Sequence, residues 1–154
     1  MPLTIRTAAP ADAPLIAEFN RLMALETEGK TLDPAVLARG VAKVLADPHK
    51  GLYFLAEDGG EVLGQTMLTT EWSDWRDGWF WWIQSVYVRP EARQRGVFRA
   101  LYEHIVQAAR QHPEVIGIRL YVERDNQRAQ ETYRRLGMET LGYVLLEKYP
   151  IQEG

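Results

Sequence analysis

The sequence predicts a mixed α/β sheet with helices packed on its faces, and three observations lead there. Two β-competent runs, 52–56 and 62–70, flank Asp58-Gly59-Gly60, a composition that closes a tight hairpin. A third run, 80–88, is followed by an apolar stripe at helical spacing (Phe98, Leu101, Ile105, Ala108) and then by alternation over 115–122. Strand, helix and strand in that order form a crossover unit, which sets two strands parallel. Antiparallel hairpins first and a crossover later give a sheet of mixed direction.

Each element has its own local cause. Leu3, Ile5 and Thr7 alternate with polar neighbours, the pattern of a short first strand. Pro10, Asp12 and Pro14 turn the chain into a helix, with Asp12 placed as its N-cap, and Leu15, Ile16, Phe19, Leu22, Met23 and Leu25 recur along one side. Residues 27–31, with Gly29, read as a loop. Asp33-Pro34 opens a second helix carrying Val36, Leu37, Val41, Val44 and Leu45, and Asp47-Pro48 ends it. A second hairpin turns across 73–78. The helix over 97–111 leads to the strand over 115–122. A short helix over 126–136 is closed by Gly137, and 143–146 is a last strand. The order is β-α-α-β-β-β-α-β-α-β, a single domain over residues 1–154 without repeats.

Composition narrows the function. The 154 residues are 46% hydrophobic and 25% charged, the balance of an ordinary globular protein. A formal net charge of −3 argues against a nucleic-acid binder that works through a strong overall positive field. With no cysteine there is no disulfide, thiolate metal site or cysteine nucleophile. No signal peptide or membrane span is visible, so the expected location is cytoplasmic. The three histidines, His49, His104 and His112, show no metal-site spacing, and no metal is expected.

The junction from Val86, Tyr87 and Val88 through Arg89 and on to Arg93, Gln94, Arg95, Gly96, Val97, Phe98 and Arg99 carries the most information. It places four arginines with one acid, Glu91, in a chain that is acidic overall. A helix N-terminus disfavours cations by a few tenths to about 1 kcal/mol, so stability alone would put Asp or Glu there. A bound polyanion accounts for the arrangement, held by main-chain N–H groups, with Gly96 permitting close approach. A solvated basic helix start accounts for it equally well. Further on, Asn126 is placed as a helix N-cap, and Tyr133 shares a helical stripe with Ala129, Thr132 and Leu136. Taken alone, Tyr133 reads as a core tyrosine.

Together, Arg93-x-x-Gly96 at a helix start after a strand, then Asn126-x-x-Ala129-x-x-x-Tyr133-x-x-x-Gly137, resembles the GNAT superfamily of acetyl-CoA-dependent N-acetyltransferases. The likeness covers nearly the whole chain. It implies that the coenzyme A diphosphate sits on the loop from Arg93 to Arg99. The pantetheine arm would then pair with the strand at Val86, Tyr87 and Val88, Asn126 would hold that arm, and Tyr133 would protonate the departing thiolate. The acceptor would be a small-molecule primary amine, attacking directly in a ternary complex. A homodimer is compatible with the resemblance; a nucleic acid or membrane partner is not implied.

The chain departs from the family pattern at Phe98, where Gly or Ala is usual, and at Gln84, where some relatives carry a glutamate base. An amide cannot take that proton. All five tryptophans fall between Trp72 and Trp82, interleaved with Glu71, Asp74 and Asp77. Aromatic faces with carboxylates suit a cationic or amine-bearing ligand, so Glu26, Glu28, Trp72, Asp74 and Gln84 are the acceptor-side candidates. Core packing or a dimer contact explains the same tryptophans. Two other readings stay open: an acyl-CoA sensor without turnover, which Gln84 favours, and a nucleic-acid contact at the arginine cluster.

Overall fold

The structure, a computed structural model, describes residues 3–152 and resolves into two compact units, one up to Tyr121 and one from Val122. The first is a five-stranded sheet in the order β1-β2-β3-β4-β5. Its strands are β1 (Thr4–Thr7), β2 (Leu52–Asp58), β3 (Glu61–Ser73), β4 (Gly78–Val88) and β5 (Val115–Leu120). The first four pair antiparallel and β5 runs parallel to β4, because helix α3 (Val97–Arg110) carries the chain across between them. Helices α1 (Ala13–Glu28) and α2 (Pro34–Ala46) connect β1 to β2.

Local chemistry fixes these boundaries. Asp33 caps α2, its side chain accepting from the N–H groups of Ala35 and Val36. The turn of the first hairpin is Gly59-Gly60, both at positive φ (59° and 85°), as a two-residue connection requires. Asp12 precedes α1 as expected, yet its carboxylate does not cap that helix. It accepts two hydrogen bonds from Arg6 at 2.8 Å and one from the Ala9 N–H at 2.7 Å, while Arg6 also donates to Glu57. This network ties β1 and β2 to the start of α1.

The sheet is covered on both faces. Val97, Leu101 and Ile105 of α3 pack on Phe54, Leu68 and Ile83. Ile16 and Phe19 of α1 and Val41 of α2 pack on Tyr53, Leu55 and Tyr87. Successive residues of β2 therefore enter different cores, which is why 52–56 reads as an unbroken apolar run.

The second unit holds one helix, α4 (Gln127–Arg135), capped by Asn126 through its Oδ1, which accepts from the Ala129 N–H at 3.1 Å. Two sequence expectations are corrected. Helix α1 runs to Glu28, so the loop expected over 27–31 starts only at Gly29, and Glu28 joins Glu26 in the last turn of the helix. The strand expected over 143–146 is not formed among the described residues, so the order closes on α4. The run Tyr143-Val144-Leu145-Leu146 is β-competent, but such a run does not say whether an edge is there to pair with it.

Candidate active site

The site grows out of an irregularity in β4. The pairing of β4 with β5 ends at Ile83 opposite Leu120, whereas β4 continues to Val88. Residues 84–88 thus present a strand edge to which β5 contributes nothing. On the other side, the register with β3 jumps from Met67 opposite Gln84 to Gln65 opposite Tyr87, so Ser85 and Val86 face Thr66 alone. This is a β-bulge, and Ser85 occupies the left-handed region at φ 53°.

Side chains of β3 hold the bulge. Thr66 Oγ1 donates to the Gln84 carbonyl at 3.0 Å, and Gln65 Nε2 donates to the Ser85 carbonyl at 3.1 Å. A trans peptide sets its N–H opposite its C=O. With both carbonyls drawn toward β3, the N–H groups of Ser85 and Val86 turn away from it, toward the open edge. A regular strand alternates its N–H directions; here two consecutive donors converge, an arrangement suited to an oxygen that gains negative charge. Gln65 is itself anchored: Nε2 also donates to Asn20 Oδ1 at 2.8 Å, and Asn20 Nδ2 donates to the Tyr53 hydroxyl at 3.1 Å. All four side chains of this relay (Thr66, Gln65, Asn20, Tyr53) are buried. Gln65 Oε1, alone among the buried side-chain nitrogen and oxygen atoms of the described residues, has no hydrogen-bond partner.

The loop after β4 supplies a second concavity. Gln94 (φ 68°) and Gly96 (φ 79°) both adopt the left-handed region, and Gly96 is the N-cap of α3. For Gln94 this conformation costs about 1–2 kcal/mol. Ser85 and Gln94 are two of the three non-glycine residues at positive φ among those described, and the third, Asp77, lies in the β3–β4 turn. The first N–H groups of α3 have no carbonyl within their own helix, so they are aimed out of its start. Val97 is buried, and Phe98 packs on the α3-side core, in keeping with a packing role for it.

The arginine side chains are less free than the sequence implies. Arg93 donates to Glu26 at 2.7 Å and to the Val88 carbonyl at 2.9 Å, with its guanidinium 5.5 Å from the Tyr87 ring centre. Arg95 pairs with Asp58 and Arg99 with Glu103. Arg89 donates to the Val62 carbonyl and lies over Phe19. The three ion pairs are solvent-facing, each worth at most about 1 kcal/mol, so a diphosphate could displace their carboxylates at little cost.

The expected acceptor residues separate into groups. Gln84 donates to Thr69 Oγ1 at 2.7 Å and lies on the α1 face of the sheet. Trp82, two residues earlier on that face, stacks on Tyr121 at 4.6 Å. Trp72 meets Trp79 edge to face, Trp75 is 85% exposed, and Asp74 lies in the turn beyond them. The Trp72–Trp79 pair is five residues from Gln84 along β4, about 17 Å. Glu26 is at the other end of the strand beside Tyr87, and Glu28 pairs with Lys30. The structure therefore does not bring Glu26, Glu28, Trp72 and Asp74 into one cluster. It instead gathers Glu71, Phe80, Arg119 and Tyr121 about Trp82, with Thr69 against Gln84 further along the same face. A cavity of about 260 Å³ lined by Phe54, Leu68, Trp81 and His112 lies toward α3 and shares only Thr69 with this group.

In the second unit, Tyr133 is half-buried on α4, and burial pushes its phenol above the ordinary value of 10. It keeps its proton at any physiological pH.

The family model described as the acetyltransferase (GNAT) family matches residues 17–138. The chain belongs to that family. Among solved structures, a possible acetyltransferase from Clostridium difficile 630 is 43% identical to this GNAT acetyltransferase, with a TM-score of 0.90, covering 97% of this chain and 99% of the other. An integron cassette protein from the mobile metagenome of Cole Harbour salt marsh is 24% identical (TM-score 0.82; 97% and 91% covered). A predicted acetyltransferase of Clostridium acetobutylicum, solved with acetyl-CoA, shares the fold at 16% identity (TM-score 0.77; 96% of each chain). No curated protein is similar enough to count as a match.

Proposed function

We propose that this acetyltransferase moves the acetyl group of acetyl-CoA to the primary amine of a small cationic or amino-acid-like acceptor, by direct attack in a ternary complex. The observation that carries the proposal is the bulged, unpaired stretch of β4 leading straight into the loop with two left-handed residues. Main-chain groups of Val86, Tyr87 and Val88 offer pantetheine amides an edge to pair with, in the manner of an added strand. The N–H groups of Gln94 and of Gly96 to Arg99, reinforced by the guanidiniums of Arg93, Arg95 and Arg99, suit the diphosphate. Acetyl-CoA supplies a thioester, and the chain's part is to stabilise what forms on it. The Ser85 and Val86 N–H groups receive the developing oxyanion, and Tyr133 gives a proton to the sulfur. Asn126 keeps its Nδ2 available for the pantetheine while its Oδ1 caps α4.

Absence of cysteine closes the route through an acetyl-cysteine, which favours direct transfer. Gln84 cannot act as the base, so the amine gives its surplus proton to solvent water, from which Tyr133 regains the one it passes to the sulfur, and Gln84 orients the amine. We place the acceptor against Gln84 and Trp82 rather than at Trp72 and Asp74, and assign Glu26 and Glu28 no direct contact with it. The proposal includes a cytoplasmic location; among the described residues no helix is long and apolar enough to cross a membrane. It also includes a homodimer, supported by seven large apolar side chains exposed between Leu141 and Ile151. Thiol release from acetyl-CoA over a panel of primary amines tests the reaction, and light scattering tests the dimer. Saturable coenzyme A binding with no turnover on any amine would favour the sensor reading that Gln84 keeps open.

A further inference from the structure

Beside Gln84 the sheet carries an arginine that the proposed reaction does not use. Arg119 of β5 is in register with Trp82 of β4, one step before the two strands part. Its guanidinium lies 3.6 Å from the centre of the Phe80 ring, close enough for a flat stack. Phe80 in turn rests against Gly117, where a Cβ would come within 2.6 Å of the ring, so the glycine makes room for the stack. Arg76 lies over the same ring at 5.5 Å. Arg76 donates to Ser73 Oγ, and Arg119 is the cation that a carboxylate meets. Glu71 accepts from Arg119 at 3.1 Å and from the Trp82 indole at 2.9 Å. Among the described residues, Arg119 spends no other N–H group on a partner, although its side chain is only 21% exposed.

A guanidinium stacked in place, partly desolvated and with most of its donor fork unused is built to receive a planar anion. The open N–H groups of Arg119, donors only, select a carboxylate over a second ammonium. Gln84, on the same face, is about 7 Å from Trp82 along β4, so an amine at the bulge and an acid group at Arg119 fall within one small molecule.

We infer that the acceptor bears a carboxylate as well as its amine, and that Arg119 reads the carboxylate, with Glu71 holding the guanidinium flat and competing for it. This rests on the acetyl-transfer reading above and narrows it to amino-acid-like acceptors. A purely structural Arg119 would pin β5 to β3 through Glu71 and have no preference among acceptors.

The test compares matched acceptors with and without the acid group: L-phenylalanine with phenethylamine, and L-leucine with isopentylamine. Thiol release is followed for the wild type, Arg119→Met and Glu71→Gln. In the wild type, kcat/KM should favour an amino acid over its amine about tenfold or more, the scale of one charge-assisted hydrogen-bonded contact. R119M should bring that ratio near one while leaving the plain amine within about threefold. E71Q, which frees the guanidinium, should raise the ratio. Opposite shifts from two members of one ion pair are not what loss of a structural pin produces. Equal losses on both acceptors in R119M, or a wild-type preference for the plain amines, would overturn the inference and leave acetyl transfer standing.

If no acceptor is turned over, the reaction fails but the carboxylate site is still tested. The Trp82 indole N–H resonance, assigned with Trp82→Phe, should shift on titration with N-acetyl-L-phenylalanine and not with N-acetylphenethylamine. Absence of that difference overturns the inference.

Discussion

Thr66→Val removes one hydroxyl and keeps the shape of the side chain. Thr66 is fully buried, and its Oγ1 is 3.0 Å from the carbonyl of Gln84. Losing a neutral hydrogen bond costs about 1 kcal/mol, and a sealed, orphaned acceptor up to about 3 kcal/mol. Gln84 is only half-buried, so water can reach its carbonyl and the cost stays near the lower figure. For a chain of this length that is a fall in Tm of roughly 3 °C. Activity should suffer more than stability. Deleting a whole oxyanion donor costs about 10²–10³ in kcat. Here the donor, the Ser85 N–H, survives, but the peptide plane that aims it is loosened. A loss of about tenfold in kcat is expected, with KM for acetyl-CoA nearly unchanged. Thermal melting and thiol-release kinetics on the same preparation measure both. A fall in Tm with kcat intact would show that the bond between β3 and the bulge only packs the sheet, and would refute the orientation argument.

Three further outcomes are expected. Tyr133→Phe should lower kcat by about 10²-fold or more while calorimetry finds coenzyme A binding intact. Because burial holds the Tyr133 proton beyond pH 10, the alkaline fall in kcat should begin above that pH in the wild type and disappear in the variant. Asp12→Asn addresses acid stability. The hydrogen bonds from Arg6 hold the Asp12 carboxyl below its unfolded value, so its contribution is complete above the ordinary carboxylate range and drains away as pH falls through the lower folded value. Urea melts between pH 6 and 2 should show a steeper loss in the wild type than in D12N. Gly96→Ala meets no atom within 4 Å but must hold φ 79°, so it should cost about 1 kcal/mol through the backbone alone, with coenzyme A affinity falling as the N-cap relaxes.

Much of the architecture was legible because its causes are local. Asp33-Pro34 and Gly59-Gly60 act within a few residues of themselves, and the α3 stripe repeats along one helix. The family likeness rested on Arg93, Gly96 and Asn126 for the same reason, each marking a loop or cap that its neighbours define, and on Tyr133 through the stripe of the helix that Asn126 caps. What escaped is pairwise and distant. Nothing in the neighbourhood of Arg119 says that β5 will set it over Phe80 and opposite Glu71, and nothing around Arg93 says that Glu26, 67 positions away, will take its guanidinium. The tryptophan window looked like one cluster because it is contiguous, but strand geometry sends Trp81 and Trp82 to opposite faces and leaves Trp72 near the turn. One signal was present and unused: Gln65-Thr66, two polar residues inside an otherwise apolar strand run, which is where side chains substitute for a broken ladder.

In the proposed reaction the donors that meet the oxygen are amides of the chain itself, which no replacement at Ser85 or Val86 short of proline deletes. Their aim is set from behind, by Thr66 and Gln65 on β3 and by Asn20 on α1. An alanine scan confined to the strand that touches the ligand would therefore pass over the catalytic apparatus, and its vulnerable positions would surface as inactive variants in a layer that contacts no ligand at all.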